Sequence, residues 1–365
     1  MATTLTAEGL SRPVAPARAP ERPPAGAVDG AAYAELRRTV ARAGLFARRY
    51  DYYARQLALC YALLAGAVAF ALAAPPGAGW TLLAGAAIAF ASVQIALAGH
   101  DAGHLAVFRR PRANWLLGQI CWSLTVGVGF WYWYDRHNRH HAHTNDLDDD
   151  PDLAGRGLVA FTEQGVAART GWRRTFARYQ ARFQKLGFFS PFLFVGILYL
   201  AFGFRLEGWQ FALTKLRGAR RAIEVAVLTA NLVLWAALAA PLGWRGLALF
   251  VLGNALGSIY LALIIAPNHK GMPTWAHGAE LTFLERQVLS SRNIRPGRLT
   301  DFVFGALNYQ IEHHLFPTMP RVNYARARAI VRAFCAERGL PYEEVDVLTS
   351  YRMVYAELVR VSRSA

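Results

Sequence analysis

QLALCYALLAGAVAFALAAPPGAGWTLLAGAAIAFASVQIALAG, residues 56–99, runs for 44 residues without one Asp, Glu, Lys or Arg. A bilayer core takes about 20 apolar residues per helix, so the stretch predicts two membrane-spanning helices turning at Pro75, Pro76 and Gly77. A second hairpin is predicted from Val225 to Trp244 and from Gly246 to Ala266, with Arg245 the only charge between its arms. The composition agrees: 54% of the 365 residues are hydrophobic and only 18% charged, against roughly a quarter charged in a soluble domain. Disorder, collagen and a disulfide scaffold are excluded. Cys60, Cys121 and Cys335 lie far apart with no CxxC spacing, which points to a reduced compartment and no cysteine chemistry. Residues 1–30, with Pro13, Pro16, Pro20, Pro23 and Pro24 and no apolar core, read as a disordered tail and not a signal peptide, ahead of one domain over 31–365.

Two more apolar stretches, Ala113 to Tyr134 and Leu186 to Phe204, are long enough to cross, and the basic residues decide them. Short loops rich in Lys and Arg stay on the cytoplasmic side. Arg37, Arg38, Arg42, Arg48, Arg49 and Arg55 precede the first hairpin, and Arg109, Arg110 and Arg112 follow it. Arg173, Arg174, Arg178 and Arg182 precede Leu186, while Lys215, Arg217, Arg220 and Arg221 follow Phe204. With like flanks, Leu186 to Phe204 is predicted to lie along the interface or dip in and return. The same holds for Ala113 to Tyr134, whose aromatic end Phe130–Tyr134 suits the headgroup region. The expectation is an all-α integral membrane protein: four spanning helices in two hairpins, interfacial helices, a cytoplasmic helical cap, and both termini cytoplasmic. The net charge of +16, from 40 Lys and Arg against 24 Asp and Glu, is then a topology signal with attraction to anionic lipid. No nucleic-acid-binding motif appears, and no nucleic-acid partner is expected.

Seven of the ten histidines fall in three tight groups: His100 and His104 in HDAGH, His137, His140 and His141 in HNRHH, and His313 and His314 in QIEHH. Residues three or four apart share a helix face, so each group can aim its imidazoles at one point. If only the two hairpins cross, all three groups emerge on one side of the bilayer, as a shared metal centre requires. Seven imidazoles exceed the four ligands of one zinc and suggest two ions. Imidazole suits iron, zinc, copper and nickel alike. The acidic run Asp146, Asp148, Asp149, Asp150 and Asp152 either supplies acceptors that fix the ring tautomers or is a solvated loop.

With these boxes, the phrases RHNRHH (136–141), DPD (150–152) and LNYQIEHHLFP (307–317), the chain resembles the membrane fatty acid desaturases over about residues 50–355. These integral-membrane di-iron enzymes carry HxxxH, HxxHH and a third box of HxxHH or QxxHH. The resemblance implies two non-haem iron ions held by His100, His104, His137, His140, His141, His313 and His314. It adds His269 of APNHKGMP (266–273), at the end of the last spanning helix, as an eighth ligand. Gln310, at the first position of the third box, is usual in the front-end subgroup, which desaturates between an existing double bond and the carboxyl end. That subgroup's fused cytochrome b5 domain, with its HPGG motif, is missing from this sequence. A separate electron donor is therefore implied, a ferredoxin or a cytochrome b5-like protein with its reductase. APNHKGMP with the Gln box looks most like actinobacterial acyl desaturases and so implies a bacterial plasma membrane. Gln310, Asn308 and His143 are candidates for a supporting role beside the ligands; His143 alternatively lies at the surface, and His277 in its polar loop reads as exposed.

Removing two hydrogens from adjacent methylenes is beyond any amino-acid acid or base and needs an oxidising cofactor. The expected reaction uses O2 as co-substrate on an acyl-lipid or acyl-CoA chain held in an apolar tunnel, with Trp131, Trp133 and Tyr134 as candidate lining. A hydroxylase or ketolase on the same iron scaffold is the nearest alternative. A membrane metal carrier would place ionisable ligands along a path through the spanning helices, whereas these boxes cluster.

Overall fold

The computed structural model describes residues 30–153, 162–163, 170–184, 199–276 and 278–364. A leading helix α1 (Gly30–Arg42) precedes the first apolar pair, α2 (Tyr50–Ala73) and α3 (Ala78–Gly103). A residue before proline avoids helical ψ, so α2 stops before Ala74, which is extended at ψ 144° ahead of Pro75. After α3, the helix α4 (Pro111–Gly118) widens into a π-helix over Gln119–Val126 and ends at Gly127, whose φ of +80° suits a residue without a Cβ. The aromatic helix α5 (Phe130–Ala142) follows. The stretch Ala113 to Tyr134 is therefore broken into two helices and is not a span. Its low point is deep: Asn231, thirteen residues into the next apolar helix, donates to the Leu124 carbonyl at 2.7 Å. This is the predicted dip and return.

Further along lie α6 (Gly171–Gln184) and α7 (Phe204–Thr214), the latter entered through a π turn at Tyr199–Gly203. Of the predicted interfacial stretch Leu186 to Phe204, residues 186–198 lie outside the described residues. Arg205 at the start of α7 clamps the fold from within, donating to Asn254 at 2.8 Å, to Asn231 at 2.9 Å and to the Val126 carbonyl.

The second apolar pair is α8 (Gly218–Ala239) and α9 (Trp244–His269). Among the described residues these two and α2 and α3 are the four helices long and apolar enough to cross a bilayer. The turn falls at Gly243, so Arg245 sits in the first turn of α9 and not between the arms as the sequence suggested. Its guanidinium reaches the other hairpin, bonding Thr81 Oγ1 at 3.1 Å and the Ala74 carbonyl at 2.8 Å. Helix α3 is the buried one, packed between α2 and α9. The outer helices expose Leu59, Leu63, Val233 and Leu247, a band that suits lipid.

Beyond α9 come α10 (Phe283–Leu289), α11 (Arg298–Val303), α12 (Gln310–Leu315), α13 (Tyr324–Glu337) and α14 (Val347–Ser364). A capping box between Thr282 and Glu285 starts α10. Two short strands, β1 (Asn293–Ile294) and β2 (Glu344–Val345), pair in parallel and tie the start of this region to its end. Helices α1, α10, α12 and α13 share one apolar core around Leu36, Val288, Ile311 and Val331. They form a helical cap over one end of the spanning bundle. Pro267 inside α9 lacks the N–H that would bond the Leu263 carbonyl, and Tyr351 of α14 donates to that carbonyl instead, at 2.8 Å.

Candidate metal centre

The eight histidines singled out by the boxes and by APNHKGMP come together where α3, α5, α9 and α12 end. His100 and His104 flank the last turn of α3, His137, His140 and His141 occupy the second half of α5, His269 closes α9, and His313 and His314 lie on α12. Ligand nitrogens of His100, His104, His137 and His313 lie within 4.8 Å of one another, as do those of His140, His269 and His314. His141 joins the two groups, meeting His104 at a ring separation of 4.6 Å and His314 at 4.2 Å.

The outward nitrogen of most rings is already bound, which fixes what the inward one can do. Nδ1 of His100 lies 3.2 Å from Asp101, that of His140 is 3.0 Å from both oxygens of Asp150, and that of His269 is 2.9 Å from the Ser290 carbonyl. His313 Nδ1 meets the Tyr324 hydroxyl at 3.1 Å, and His314 Nδ1 the amide oxygen of Gln287 at 2.8 Å. The Nε2 atoms are left facing one another: His137 is 2.9 Å from His104 and 3.2 Å from His141, while Nε2 of His313 and of His314 are buried without a partner. Buried polar atoms need partners, and rings held by Nδ1 and crowded at Nε2 have the donor set that metal ions satisfy. Two groups of imidazoles with a ring between them fit two ions.

Burial pushes His104, His137, His141, His313 and His314 well below the ordinary imidazole value, and their neighbours' charges add to this. They are thus held neutral, the form that binds metal. His140 differs: burial lowers it, but the carboxylates of Asp150 and Asp152 together more than offset that and leave it raised.

Of the acidic run, Asp150 supplies the acceptor for His140, with Asp152 3.7 Å away. Asp146 instead caps its own turn by accepting from the backbone of Asp148 and Asp149. Gln310 places its amide nitrogen 2.9 Å from His269 Nε2 while its oxygen accepts from Asn268. Asn308 does not reach the imidazoles; it bonds Asp301 at 2.8 Å and so braces the chain before α12. His143 stands outside the cluster, 44% exposed, 3.9 Å from Asp149. His277 lies outside the described residues. The partners Asp101, Ser290, Gln287 and Tyr324 were not singled out from the sequence; of these, only Asp101 adjoins its histidine in the chain.

A cavity of about 340 Å³ leads away from the cluster. His100, His137, His140, His269 and Gln310 line one end together with Arg136 and Lys270, and Ile88, Trp235 and Gly253 line the other. Trp133 is part of the wall, but Trp131 and Tyr134 are not, contrary to the sequence expectation. On α5, residue 133 shares the face of 137 and 140, whereas 131 points to the opposite side and 134 to the flank between, and both pack on Phe130. Trp122 of the π-helix, not singled out from the sequence, takes their place. Gly103 makes room for the wall, since a Cβ there would lie 2.5 Å from the Trp133 ring.

The sequence model of the fatty acid desaturase family matches residues 78–346, which include every one of these imidazoles. The chain belongs to the fatty acid desaturase family. Curated relatives include an acyl-lipid (9-3)-desaturase of Physcomitrium patens, 28% identical over 91% of this chain and 63% of the relative. Fatty acid desaturase 3 of Bos taurus is 30% identical over 75% of the chain and 60% of its own length. A delta(8)-fatty-acid desaturase of Euglena gracilis is 28% identical over 73% and 65%. The chain thus spans about three fifths of the length of the relatives it matches. Family membership accounts for the four apolar helices and makes this an integral membrane protein.

Proposed function

We propose that this chain is an oxygen-dependent acyl desaturase in which the eight clustered imidazoles hold two non-haem iron ions. The observation that carries this reading is the convergence of three separated histidine boxes and His269 on one end of a largely apolar cavity. Bound there, iron would supply the oxidising chemistry that breaks unactivated C–H bonds, which the side chains cannot. The protein's own part is to hold and dry the substrate. Leu261, Ala262 and Ile265 of α9 and Val93 of α3 give the cavity an apolar wall, and each methylene buried against it gains about 0.8 kcal/mol.

The proportions of the cavity support front-end regiochemistry. The cations Arg136 and Lys270 are sequence neighbours of His137 and His269, so a polar head held there lies close to the metal ligands. From His269 back to Gly253 is sixteen residues of α9, about 24 Å of helix for the rest of the chain to lie along, with Asn254 and Ser258 the polar members of a mostly apolar lining. The relatives' names include delta(8), delta(6) and delta(5) desaturases, in keeping with this. Electrons come from an acidic ferredoxin or a cytochrome b5-like donor steered to the basic flanks beside the boxes, the side that the arginine-rich loops favour as cytoplasmic.

Metal analysis of the purified protein tests the centre: about two irons per chain is expected from the ligand count, and stoichiometric zinc without iron overturns it. Fatty-acid analysis of an expressing host tests the reaction. New double bonds that vanish in His140→Ala and His314→Ala support it, and hydroxylated products in place of alkenes assign the scaffold to hydroxylation.

A further inference from the structure

The indole of Trp133 lies stacked on His137, with ring centres 4.7 Å apart and planes at 21°. On Trp122 it is also stacked, at 4.7 Å and 17°. It lies 5.5 Å from His100 as well. No other tryptophan among the described residues shows a ring contact with a box imidazole. Indole is among the side chains most easily oxidised by one electron, and two stacked indoles share a missing electron better than one. Two further features keep a hole on this pair. Trp122 Nε1–H is buried with no acceptor, so no base takes its proton and an oxidised ring stays a mobile radical cation. The next tryptophans, Trp131 and Trp115, lie under the Arg220 guanidinium at 4.8 and 5.5 Å, and that positive charge opposes a second one on their rings.

We propose that Trp133 and Trp122 form an electron reserve for the histidine centre. The inference rests on the oxygen-activating reading of that centre. When oxygen is activated with no acyl chain in the cavity, Trp133 gives one electron to the oxidised centre. No bond breaks, and the indole pair carries the hole. One electron from the iron–sulfur or haem donor of the catalytic cycle restores it. If that electron is delayed, slow loss of an N–H proton leaves a neutral indolyl radical, dioxygen adds to a ring carbon of that radical, and a later electron from the donor with a proton reduces the peroxyl to a hydroperoxide, leaving the indole permanently oxygenated. Tyr324, although hydrogen-bonded to His313, is a poorer reserve because a phenol loses its proton on oxidation.

The test uses the full chain in lipid nanodiscs, loaded with iron, given limiting dithionite and isotopically heavy dioxygen without acyl substrate. Oxygen uptake is followed in the same vial, and tryptic peptides are then mapped by mass spectrometry. Trp122 and Trp133 are expected to carry several-fold more heavy oxygen than Trp244 and Trp80, and to lose that excess when acyl substrate is present. The controls are severe, because Trp244 is 74% exposed and Trp80 47%, while Trp122 is 4%. Labelling ordered by exposure, with Trp244 first, overturns the proposal, as does oxygen uptake that leaves both members of the pair unlabelled. Absence of oxygen uptake by iron-loaded protein overturns the reading of the centre itself and the reserve with it. In Trp133→Phe the label on Trp122 should fall several-fold and move to the box imidazoles; unchanged labelling of Trp122 refutes the route through Trp133.

Discussion

Replacing Asp150 by Asn isolates the contribution of one carboxylate to the metal centre. Asp150 is fully buried and uses both oxygens twice. One accepts from His140 at 3.0 Å and from the Asp152 N–H at 2.8 Å, the other from His140 at 3.0 Å and from the Asn145 N–H at 2.9 Å. An amide keeps the shape but turns one oxygen into a donor, so one backbone N–H faces another donor at hydrogen-bond distance. An unsatisfied buried N–H costs about 1–3 kcal/mol of folding stability. Separately, His140 loses the carboxylate that orients it and raises its basicity, a change worth about 10- to 100-fold in metal affinity, or ~1.4–2.7 kcal/mol. The assay is titration of chelator-stripped protein with iron(II) under anaerobic conditions, beside thermal unfolding in the same detergent. Asp150→Asn should bind 10- to 100-fold more weakly, with alkene yield falling in step at limiting iron. Wild-type affinity in a stably folded variant would refute the reasoning, because it would mean that the ring is held by the cluster alone.

Three further perturbations separate packing, charge and cavity shape. Arg321 is buried against Asp101 at 2.5 Å and donates to the Gly305 and Leu97 carbonyls; Arg321→Met strands the Asp101 carboxylate and should cost about 3–5 kcal/mol, read as a lowered unfolding midpoint. Gly103→Ala puts a methyl 2.5 Å from Trp133, and the displaced indole should cost about 1–3 kcal/mol, visible in thermal unfolding and as a shift in tryptophan emission. Gly253→Leu fills the far end of the cavity, where even a Cβ would lie 3.3 Å from Trp235 and 3.7 Å from Ile88. The host's new alkenes should then shift to shorter chains while iron content stays unchanged.

The hairpins were legible because a bilayer imposes one simple rule, a run of about 20 uncharged residues, and residues 56–99 obey it twice over. Arginine placement was informative too: like flanks argued against a span at Leu186 to Phe204, and the same reading, extended to Ala113 to Tyr134 with its aromatic end, agrees with the break at Gly127. Helical spacing grouped the box histidines, but His269 came only from family resemblance, as a lone histidine after a proline has no periodic signature. The errors at Trp131 and Tyr134 came from reading an aromatic run as one surface when the helix divides it between two faces.

Sequence alone thus determined where the four long apolar helices of the described residues lie, which side-chain chemistry accumulates at one end, and that this chemistry is imidazole. These follow from local composition and from spacing within a few residues. Tertiary structure alone decided which nitrogen each ring presents, because the partners lie beyond the reach of helical spacing, 11 to 27 residues away on other segments: Gln287 for His314, Ser290 for His269, Tyr324 for His313. It also decided where the cavity runs and where it stops, since Trp122, Trp235 and Gly253 meet only when α3, α8, α9 and the re-entrant π-helix pack together. Hydrogen bonds and van der Waals contacts act over a few ångströms of space, and no local pattern in the chain encodes a neighbour that folding brings from a hundred residues away.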